Sequence, residues 1–413
     1  MRFDVVIKGG EVVDPGGGLV GRLDVAIRGD RIAAVEADIP TESAWRVIDA
    51  TGQYVTPGLI DLHTHVYRGV GYFGIDADAI AWRSGVTTWV DAGSSGAFTF
   101  PGLRDFVIES SKSRVYAFLS LSYVGMAGLN YDEYAAIETL DPAPLRRTVN
   151  LNRDRIVGLK VREGTGRTGN QGLEPLRRAR AWADELELPI MCHIANGPPP
   201  VTDILPLLRK GDILTHAYTG LTERLIDEES RLFDAAREAR ERGVVFDIGH
   251  GSGSFSWLSA EALSRAGFWP DVISTDLHQV SLPGPNLIDP AAIETVARVT
   301  GDGSPQLTLL TAMSKFLHLG WSFSDVVRAT TARPAEVLGW TGTLGTLRPG
   351  AYADVAAFVI DEGQFELFDI HGNHRTARRM IRNTLTLLGG RAMPHKEMPS
   401  PPPWIRLVDL ESP

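Results

Sequence analysis

Short apolar runs alternate with amphipathic stretches through the central part of the chain. The stretches between the runs, such as Gly172–Leu186 and Glu223–Arg242, are rich in Ala, Arg, Glu and Leu, with apolar residues at helical spacing. Strand-like runs with helical spacers are typical of a (β/α)₈ barrel, and we predict this α/β TIM-barrel architecture. An open doubly wound sheet is the competing architecture, but it would more often carry a Gly-rich phosphate loop after its first strand. The eight runs are Leu59–His65, Val86–Asp91, Val115–Ser122, Ile156–Arg162, Pro189–Ile194, Asp212–Ala217, Val244–Gly249 and Val272–Asp276.

Both ends of the chain show a β pattern without a helical period. Residues 1–57 contain Val- and Ile-rich pieces separated by Gly, Asp and Pro, and similar pieces return after Trp340. We therefore predict a small β-sandwich domain built from residues 1–57 and 343–395, attached to a barrel of residues 58–342. Residues 396–413 form a Pro-rich tail, and the sequence is equally compatible with a loose and a docked tail.

The composition excludes several classes of protein. The 413 residues carry 41 basic and 51 acidic side chains, a formal net charge of −10, which disfavours nucleic acid and anionic membranes as partners. A single cysteine, Cys192, rules out an internal disulfide and a multi-cysteine metal site. The chain has no run of about 18 uncharged apolar residues, so we expect no transmembrane helix. The charged N-terminus does not resemble a secretory signal. We therefore expect a cytoplasmic enzyme that acts on a small molecule.

Two histidines share one face of the first predicted barrel strand, in the motif PGLIDLHTH. Side chains alternate along a strand, so Asp61, His63 and His65 would point into the barrel while Leu62 would meet the helices. Two imidazoles at this spacing can chelate one cation, although an isolated pair of histidines is more often structural. The pair therefore indicates a metal site only if further ligands lie nearby.

A lysine lies on the inner face of the fourth predicted strand, IVGLKVRE. A lone buried ammonium is costly, so Lys160 must be ion-paired, neutral or modified. A neutral amine is nucleophilic and can capture CO₂ to form a carbamate, an anionic ligand able to bridge two metal ions. The alternative is a salt bridge to an inner carboxylate such as Asp61 or Asp276, and this alternative would be preferred if Lys160 were considered alone.

Three further candidate ligands end later strands: His193 the fifth, His216 the sixth and Asp276 the eighth. Barrel active sites lie at the face where the strands end, and there these side chains would join the two histidines and the lysine. Imidazole, carboxylate and carbamate are ligands that Zn²⁺-type cations prefer. We therefore predict a metal site at this face of the barrel.

These motifs resemble those of the amidohydrolase superfamily, in the binuclear branch that includes dihydroorotase, dihydropyrimidinase and urease. The resemblance covers nearly the whole chain and extends to bacterial dihydroorotase-like proteins, some of which are deacetylases. It implies two divalent metal ions, with zinc expected, and a carboxylated lysine that bridges them. The more buried ion would be held by His63, His65 and Asp276, the second by His193 and His216, and both by carboxylated Lys160.

One position departs from true dihydroorotase. That enzyme has an arginine two residues after the second histidine of the motif, where this chain has Tyr67. Arg68 follows, but it faces the other way on an ideal strand. The departure argues against dihydroorotate as the substrate.

The resemblance implies a hydrolase that cleaves an amide or ester bond of a small acylated carboxylic or amino acid through a metal-bridging hydroxide. Asp276 would carry the proton from water to the leaving group, and Arg162 and His278 are candidates for binding the substrate. The alternatives are a cyclic amide hydrolase of the dihydroorotase or hydantoinase type and a mononuclear deaminase, which normally lacks the lysine of strand four. A non-catalytic scaffold is disfavoured because every ligand position is filled. A homo-oligomer is expected from the superfamily.

Overall fold

The structure, a computed structural model, describes residues 2–71, 73–127, 133–134, 136–137, 140–281 and 307–399. None of the described helices is long and apolar enough to cross a bilayer. The strands are β1 (Phe3–Asp14), β2 (Leu19–Arg28), β3 (Arg31–Glu36), β4 (Ala44–Asp49), β5 (Tyr54–Pro57), β6 (Leu59–Thr64), β7 (Val86–Ala92), β8 (Arg114–Ser120), β9 (Ile156–Arg162), β10 (Ile190–His193), β11 (Ile213–Thr215), β12 (Val245–Phe246), β13 (Val355–Phe368), β14 (His374–Leu388) and β15 (Arg391–Ala392). The α-helices are α1 (Asp78–Ser84), α2 (Phe100–Leu103), α3 (Pro142–Leu151), α4 (Glu174–Leu186), α5 (Val201–Ile204), α6 (Asp234–Glu241), α7 (Trp257–Arg265), α8 (Leu309–His318), α9 (Phe323–Thr330) and α10 (Ala332–Val337). Single 3₁₀ turns lie at Thr41–Ser43, Leu205–Leu207 and Gln279–Ser281, and a π-helical turn, Arg104–Ile108, continues α2.

Seven parallel strands form a curled sheet in the order β6-β7-β8-β9-β10-β11-β12. Residues 272–277 reach the ends of both edge strands. Asp247, next to β12, forms a parallel bridge with Val272, and Thr64 of β6 forms one with Leu277. The chain therefore has a mixed α/β fold whose parallel sheet curls until its first and last strands meet the same segment.

The predicted eighth strand, Val272–Asp276, takes part in these contacts but forms no strand ladder. Asp276 has a left-handed backbone, with φ 48°, and this conformation ends the extended segment. The same effect limits the sixth strand to Ile213–Thr215, because His216 has φ 64°. The side chains of His216 and Asp276 therefore project from turns rather than from regular strand positions.

Strands from both chain ends share a second, eight-stranded sheet. Its order is β15-β14-β13-β5-β1-β2-β3, and β4 pairs with β1. The two ends of the chain meet where β5 pairs antiparallel with β13, with Val55 opposite Ala357. Because β5 also pairs with β1, the strands form one hydrogen-bonded sheet, and the predicted sandwich of two sheets is not confirmed.

One glycine links the second sheet to the first strand of the curled sheet. Gly58 follows β5 and precedes β6, and a Cβ added to it would lie 2.4 Å from Thr87 Oγ1 and 3.0 Å from Asp354 Cβ. Only glycine permits this close approach. The strand that carries the His-x-His motif is therefore held directly against the second sheet.

The inner and outer surfaces of the curled sheet differ in what they pack against. The outer side chains, such as Leu159 and Cys192, join a large core cluster with the helices. Leu62 belongs instead to the cluster formed by side chains of several strands, including Met191. The prediction that Leu62 faces the helices is therefore wrong. Its cause is a register shift of β6 against β7 between Asp61 and Thr64, which interrupts strict alternation.

The beginning of the Pro-rich tail lies against the region of α1. The Trp82 indole donates a hydrogen bond to Lys396 O at 3.2 Å, and Lys396 Nζ lies 2.7 Å from Asp76 Oδ2. The tail is thus docked at this residue. The rest of the predicted tail, residues 400–413, lies outside the described residues.

Candidate metal centre

Three side chains from distant parts of the chain offer ligand atoms at one point. One ligand atom each of His63, His216 and Asp276 lies within 4.8 Å of the others. His63 Nε2 is 3.3 Å from Asp276 Oδ1, and His216 Nε2 is 3.9 Å from Asp276 Oδ2. His216 Nε2 is buried and has no hydrogen-bond partner in the described part of the chain. Buried nitrogens without a partner are uncommon, and one that faces a carboxylate is expected of a residue that binds a cation.

His65 and Lys160 join the same group. His65 Nε2 lies 3.0 Å from Asp276 Oδ1. Lys160 Nζ lies 3.2 Å from His63 Nε2 and 3.3 Å from the sulfur of Met191. Among the residues that the structure describes, no carboxylate forms an ion pair with this lysine. The proposed salt bridge from Lys160 to Asp61 or Asp276 is therefore not formed.

His193 lies at the edge of the group. Its ring meets the His216 ring edge to face, with 4.3 Å between centroids. It is not one of the three residues whose ligand atoms converge most closely. The structure thus brings all six predicted ligands into one connected group of side-chain contacts, with His63, His216 and Asp276 at its centre.

Two glycines leave the space that the group needs. A Cβ on Gly249 would lie 2.2 Å from Thr215 Oγ1 and 3.1 Å from the Nδ1 atoms of both His63 and His216. A Cβ on Gly93 would lie 2.6 Å from Cγ of Lys160, and both glycines have positive φ. Larger residues at these positions would displace the imidazoles or the lysine.

Burial dominates the electrostatics of the basic groups. It lowers the pKa of Lys160 to about 8, although Asp276 acts in the opposite direction. It also lowers the pKa of His216 to about 4 and holds the pKa values of His63 and His193 well below their ordinary value. These imidazoles are therefore neutral, which is the form that binds a metal ion.

Asp276 is the anionic member of the group. Burial alone would raise the pKa of its carboxyl, but His63, His65 and His216 together hold that pKa well below its usual range. Asp61, in contrast, does not enter the group. Its carboxylate accepts hydrogen bonds from Thr275 N (3.0 Å) and Thr275 Oγ1 (2.6 Å), and burial raises its pKa to about 7. Asp61 therefore holds the segment that carries Asp276.

The predicted substrate contacts, Arg162 and His278, have neighbours that the sequence did not reveal. Arg162 Nη1 donates to Glu133 Oε1 at 2.6 Å, and both side chains are largely buried. His278 lies edge to face with Phe73, with centroids 5.0 Å apart, and 3.3 Å from Ser252 Oγ. Glu133, Phe73 and Ser252 lie in loops, where neither periodicity nor motif spacing gave a signal.

His278 lies beside the ligand group. Its ring centroid is 6.2 Å from that of His65, and burial lowers the pKa of His278 to about 4. Its Nδ1 atom is buried and without a hydrogen-bond partner among the described residues. A neutral imidazole in this position can donate or accept one further hydrogen bond.

The donor set fits a divalent cation. Imidazole nitrogens and a carboxylate are typical ligands of Zn²⁺ and similar ions, and the buried Nε2 of His216 has the orientation that coordination requires. Lys160 in its unmodified form is not a ligand, but the contacts of its Nζ place the amine within the same group.

Comparisons with known proteins identify the family of the chain. The amidohydrolase family model matches residues 259–380. The chain is 33% identical to a deacetylase from Agrobacterium fabrum over 372 residues, 90% of this chain and 86% of that protein. It is 31% identical to a deacetylase from Enterococcus faecalis over 392 residues, 94% of this chain and 99% of that protein.

Solved structures show the same similarity over nearly the whole chain. A crystal structure described as an adenine deaminase has a TM-score of 0.83 and 31% identity, and covers 95% of this chain and 99% of its own. One described as a dihydroorotase has a TM-score of 0.82 and 32% identity, and covers 94% of this chain and 98% of its own. With the family match and these full-length relatives, the chain belongs to the amidohydrolase family, in its deacetylase-like branch, as the motifs indicated.

Proposed function

We propose that this protein is a binuclear metal-dependent hydrolase of an amide or ester bond in a small acylated carboxylic or amino acid. The observation that carries the proposal is the convergence of neutral imidazoles, the Asp276 carboxylate and the buried amine of Lys160. The relatives named deacetylases support the reaction type. We also propose zinc as the metal, a closed eight-stranded barrel as the scaffold and a cytoplasmic homo-oligomer as the working form.

In this proposal His63, His65 and Asp276 hold one ion, His193 and His216 hold the other, and carboxylated Lys160 contacts both. Carboxylation joins the neutral amine to CO₂: an N–C bond forms, one C=O bond opens and a proton leaves. The lowered pKa of Lys160, about 8, supports a substantial neutral fraction near physiological pH. When bound, the ions would bring the pKa of water towards neutrality and polarise the scissile carbonyl.

The side chains of this chain would then move the protons and hold the substrate. Asp276 would accept the proton of the attacking water and pass it to the leaving nitrogen or oxygen. Arg162 would contact a substrate carboxylate, with Glu133 fixing one side of the guanidinium. His278 would use its free Nδ1 to orient the substrate beside the metal ligands.

A cyclic amide hydrolase is the second candidate, supported by the neighbour described as a dihydroorotase. The Tyr67 position argues against dihydroorotate itself. The Tyr67 hydroxyl donates to Thr99 O at 2.9 Å, so it is tied to the loop after β7. A mononuclear deaminase is supported by the neighbour described as an adenine deaminase, but Lys160 disfavours it.

The test is hydrolysis by zinc-loaded enzyme of a panel of N-acyl amino acids, acyl esters of hydroxy acids, cyclic amides and adenine. Metal content is measured on the same samples, with the Asp276→Asn variant as the catalytic control. We expect acyl compounds to be cleaved by an enzyme that holds two ions per chain. Deamination of adenine with one ion per chain, and no acyl hydrolysis, would show that the proposed function is wrong.

A further inference from the structure

His63 of the candidate centre is backed by a hydroxyl group and a buried carboxylate. His63 Nδ1 lies 2.7 Å from Thr215 Oγ1, and that hydroxyl donates to Asp247 Oδ2, also at 2.7 Å. All three side chains are at most 1% exposed. The direct distance from His63 Nδ1 to Asp247 Oδ2 is 3.7 Å, too long for a hydrogen bond. The hydroxyl therefore bridges the imidazole and the carboxylate.

His65 also has a hydroxyl group behind its ring. His65 Nδ1 lies 2.8 Å from Ser94 Oγ. The main-chain nitrogen of Ser94 donates to the buried Asp91 carboxylate at 2.8 Å, and Val66 N donates to it at 2.9 Å. The bridge from imidazole through hydroxyl to carboxylate is therefore a feature of His63.

The chemistry of a hydroxyl decides where His63 carries its proton. A hydroxyl has one hydrogen, and a carboxylate can only accept, so Thr215 gives its hydrogen to Asp247. The hydroxyl must then accept from His63, which places the imidazole hydrogen on Nδ1. The Nε2 atom of His63 is left with a free lone pair, which lies 3.2 Å from Lys160 Nζ and 3.3 Å from Asp276 Oδ1.

His216 reaches the same state by a different route. Its Nδ1 lies 2.6 Å from the main-chain oxygen of Gly249, a group that can only accept. No carboxylate is needed there to fix the proton. The hydroxyl-bridged Asp247 carboxylate therefore adds something that tautomer selection alone does not require. It places a negative charge behind the His63 ring, which makes Nε2 a stronger electron-pair donor to a metal ion.

We infer that Thr215 with Asp247 is a positioning pair that fixes His63 as an Nδ1-protonated imidazole and strengthens its Nε2 atom as a ligand. The inference rests on the proposed function only in naming a divalent cation as the group that Nε2 binds. The pair lies behind His63, so it acts through that histidine.

The first experiment needs no metal. Histidine ¹⁵N resonances of the metal-free full-length protein report which ring nitrogen carries the hydrogen, and His63→Gln assigns the signal of His63. We expect His63 to be Nδ1-protonated in the wild type and to become a tautomer mixture in Thr215→Val. An Nε2-protonated His63 in the wild type, or an unchanged signal in Thr215→Val, would overturn the inference.

The second experiment measures the dissociation constant of zinc by competition with a chelator, together with the visible spectrum of the cobalt-loaded protein. Loss of such backing groups typically weakens metal binding about 10- to 100-fold, and we expect this loss in Thr215→Val. Thr215→Ser keeps the hydroxyl and should bind zinc like the wild type.

Thr330→Val is the matched control. Thr330 is as fully buried as Thr215, but its hydroxyl donates to Val326 O (3.0 Å) within helix α9. If Thr330→Val loses as much zinc affinity as Thr215→Val, the effect is general destabilisation and the inference fails. A wild type with the expected tautomers but no hydrolase activity would instead contradict the proposed function alone.

Discussion

Two lysines, Lys160 and Lys315, are buried to the same extent, and a comparison of their surroundings separates a candidate site from a structural contact. Each is 2% exposed, and burial lowers the pKa of Lys160 to about 8 and that of Lys315 to about 7. Each also has its Nζ against the Nε2 atom of a histidine, His63 for Lys160 and His250 for Lys315. Neither burial nor pKa therefore distinguishes them.

The acceptors around the two amines differ. Lys315, on α8, donates to Phe368 O as well as to His250, and its Nζ lies 4.5 Å from the centroid of the Phe255 ring. A carbonyl oxygen and an aromatic face stabilise an ammonium. Lys160 has the Met191 sulfur, a weak acceptor, as its other contact. Lys160 thus has the weaker acceptors and lies next to the converging candidate ligands, and it is the lysine for which carboxylation is proposed.

The largest effect is expected from removing the amine of Lys160. Lys160→Ala should bind less than the wild-type amount of metal and lose more than about 100-fold in activity, because the bridge between the ions is absent. A short carboxylic acid should restore part of both by occupying the place of the carbamate. The matched variant is Lys315→Met, which should keep its metal. Wild-type metal content in Lys160→Ala, measured by elemental analysis, would contradict the proposed bridge.

A similar comparison applies to the carboxylates near the two lysines. Asp276→Asn should lower turnover by about 10²- to 10⁴-fold, since an amide cannot take up the proton of water. Asp369, whose charge acts on Lys315, is the control: its carboxylate accepts main-chain hydrogen bonds from His371 and Asn373. Asp369→Asn should leave turnover per bound metal unchanged. Near-normal turnover by Asp276→Asn would remove Asp276 from the proton transfer.

The smallest effect concerns the pH dependence of stability at Lys315. In the folded protein its pKa is lowered to about 7 from an ordinary value of 10.5. Between these values the unfolded chain holds a proton that the folded protein lacks, so the free energy of unfolding rises with pH. Relative to Lys315→Met, the wild type should gain about 2 kcal/mol in free energy of unfolding from about pH 7 to about pH 9, since each pH unit contributes at most about 1.36 kcal/mol.

Denaturant unfolding of the metal-free proteins at several pH values checks this prediction. The difference between the wild type and Lys315→Met removes the contributions of other titrating groups. A difference that stays constant over this range would mean that the ammonium remains charged in the folded protein, held by Phe368 O and the Phe255 ring.

The ligand strands were predictable from sequence because their signals are local. The motifs of β6 and β9 placed His63, His65 and Lys160 at the same end of the predicted barrel, and the mainly apolar residues before each motif marked the strand. His216 and Asp276 were also found, although they project from left-handed turns, because a residue that follows a strand still lies at its end. The resemblance to a known family indicated that these positions belong to one site.

The rest depended on contacts between distant segments. The register shift that turns Leu62 inward results from the pairing of β6 with β7, which no single strand pattern encodes. The strands of the two chain ends form one sheet because β5 pairs with β1 on one side and with β13 on the other. Glu133 beside Arg162 and Thr215 behind His63 are ordinary polar residues whose partners lie 29 and 152 positions away.

The most direct test of the account is an anomalous diffraction map, recorded at the zinc edge, of crystals of the zinc-loaded enzyme grown in the presence of bicarbonate. The account predicts two peaks among His63, His65, His193, His216 and Asp276, with density for a carboxylate on Nζ of Lys160 between them. A single peak, or no peak, beside an unmodified amine at Lys160 would contradict it.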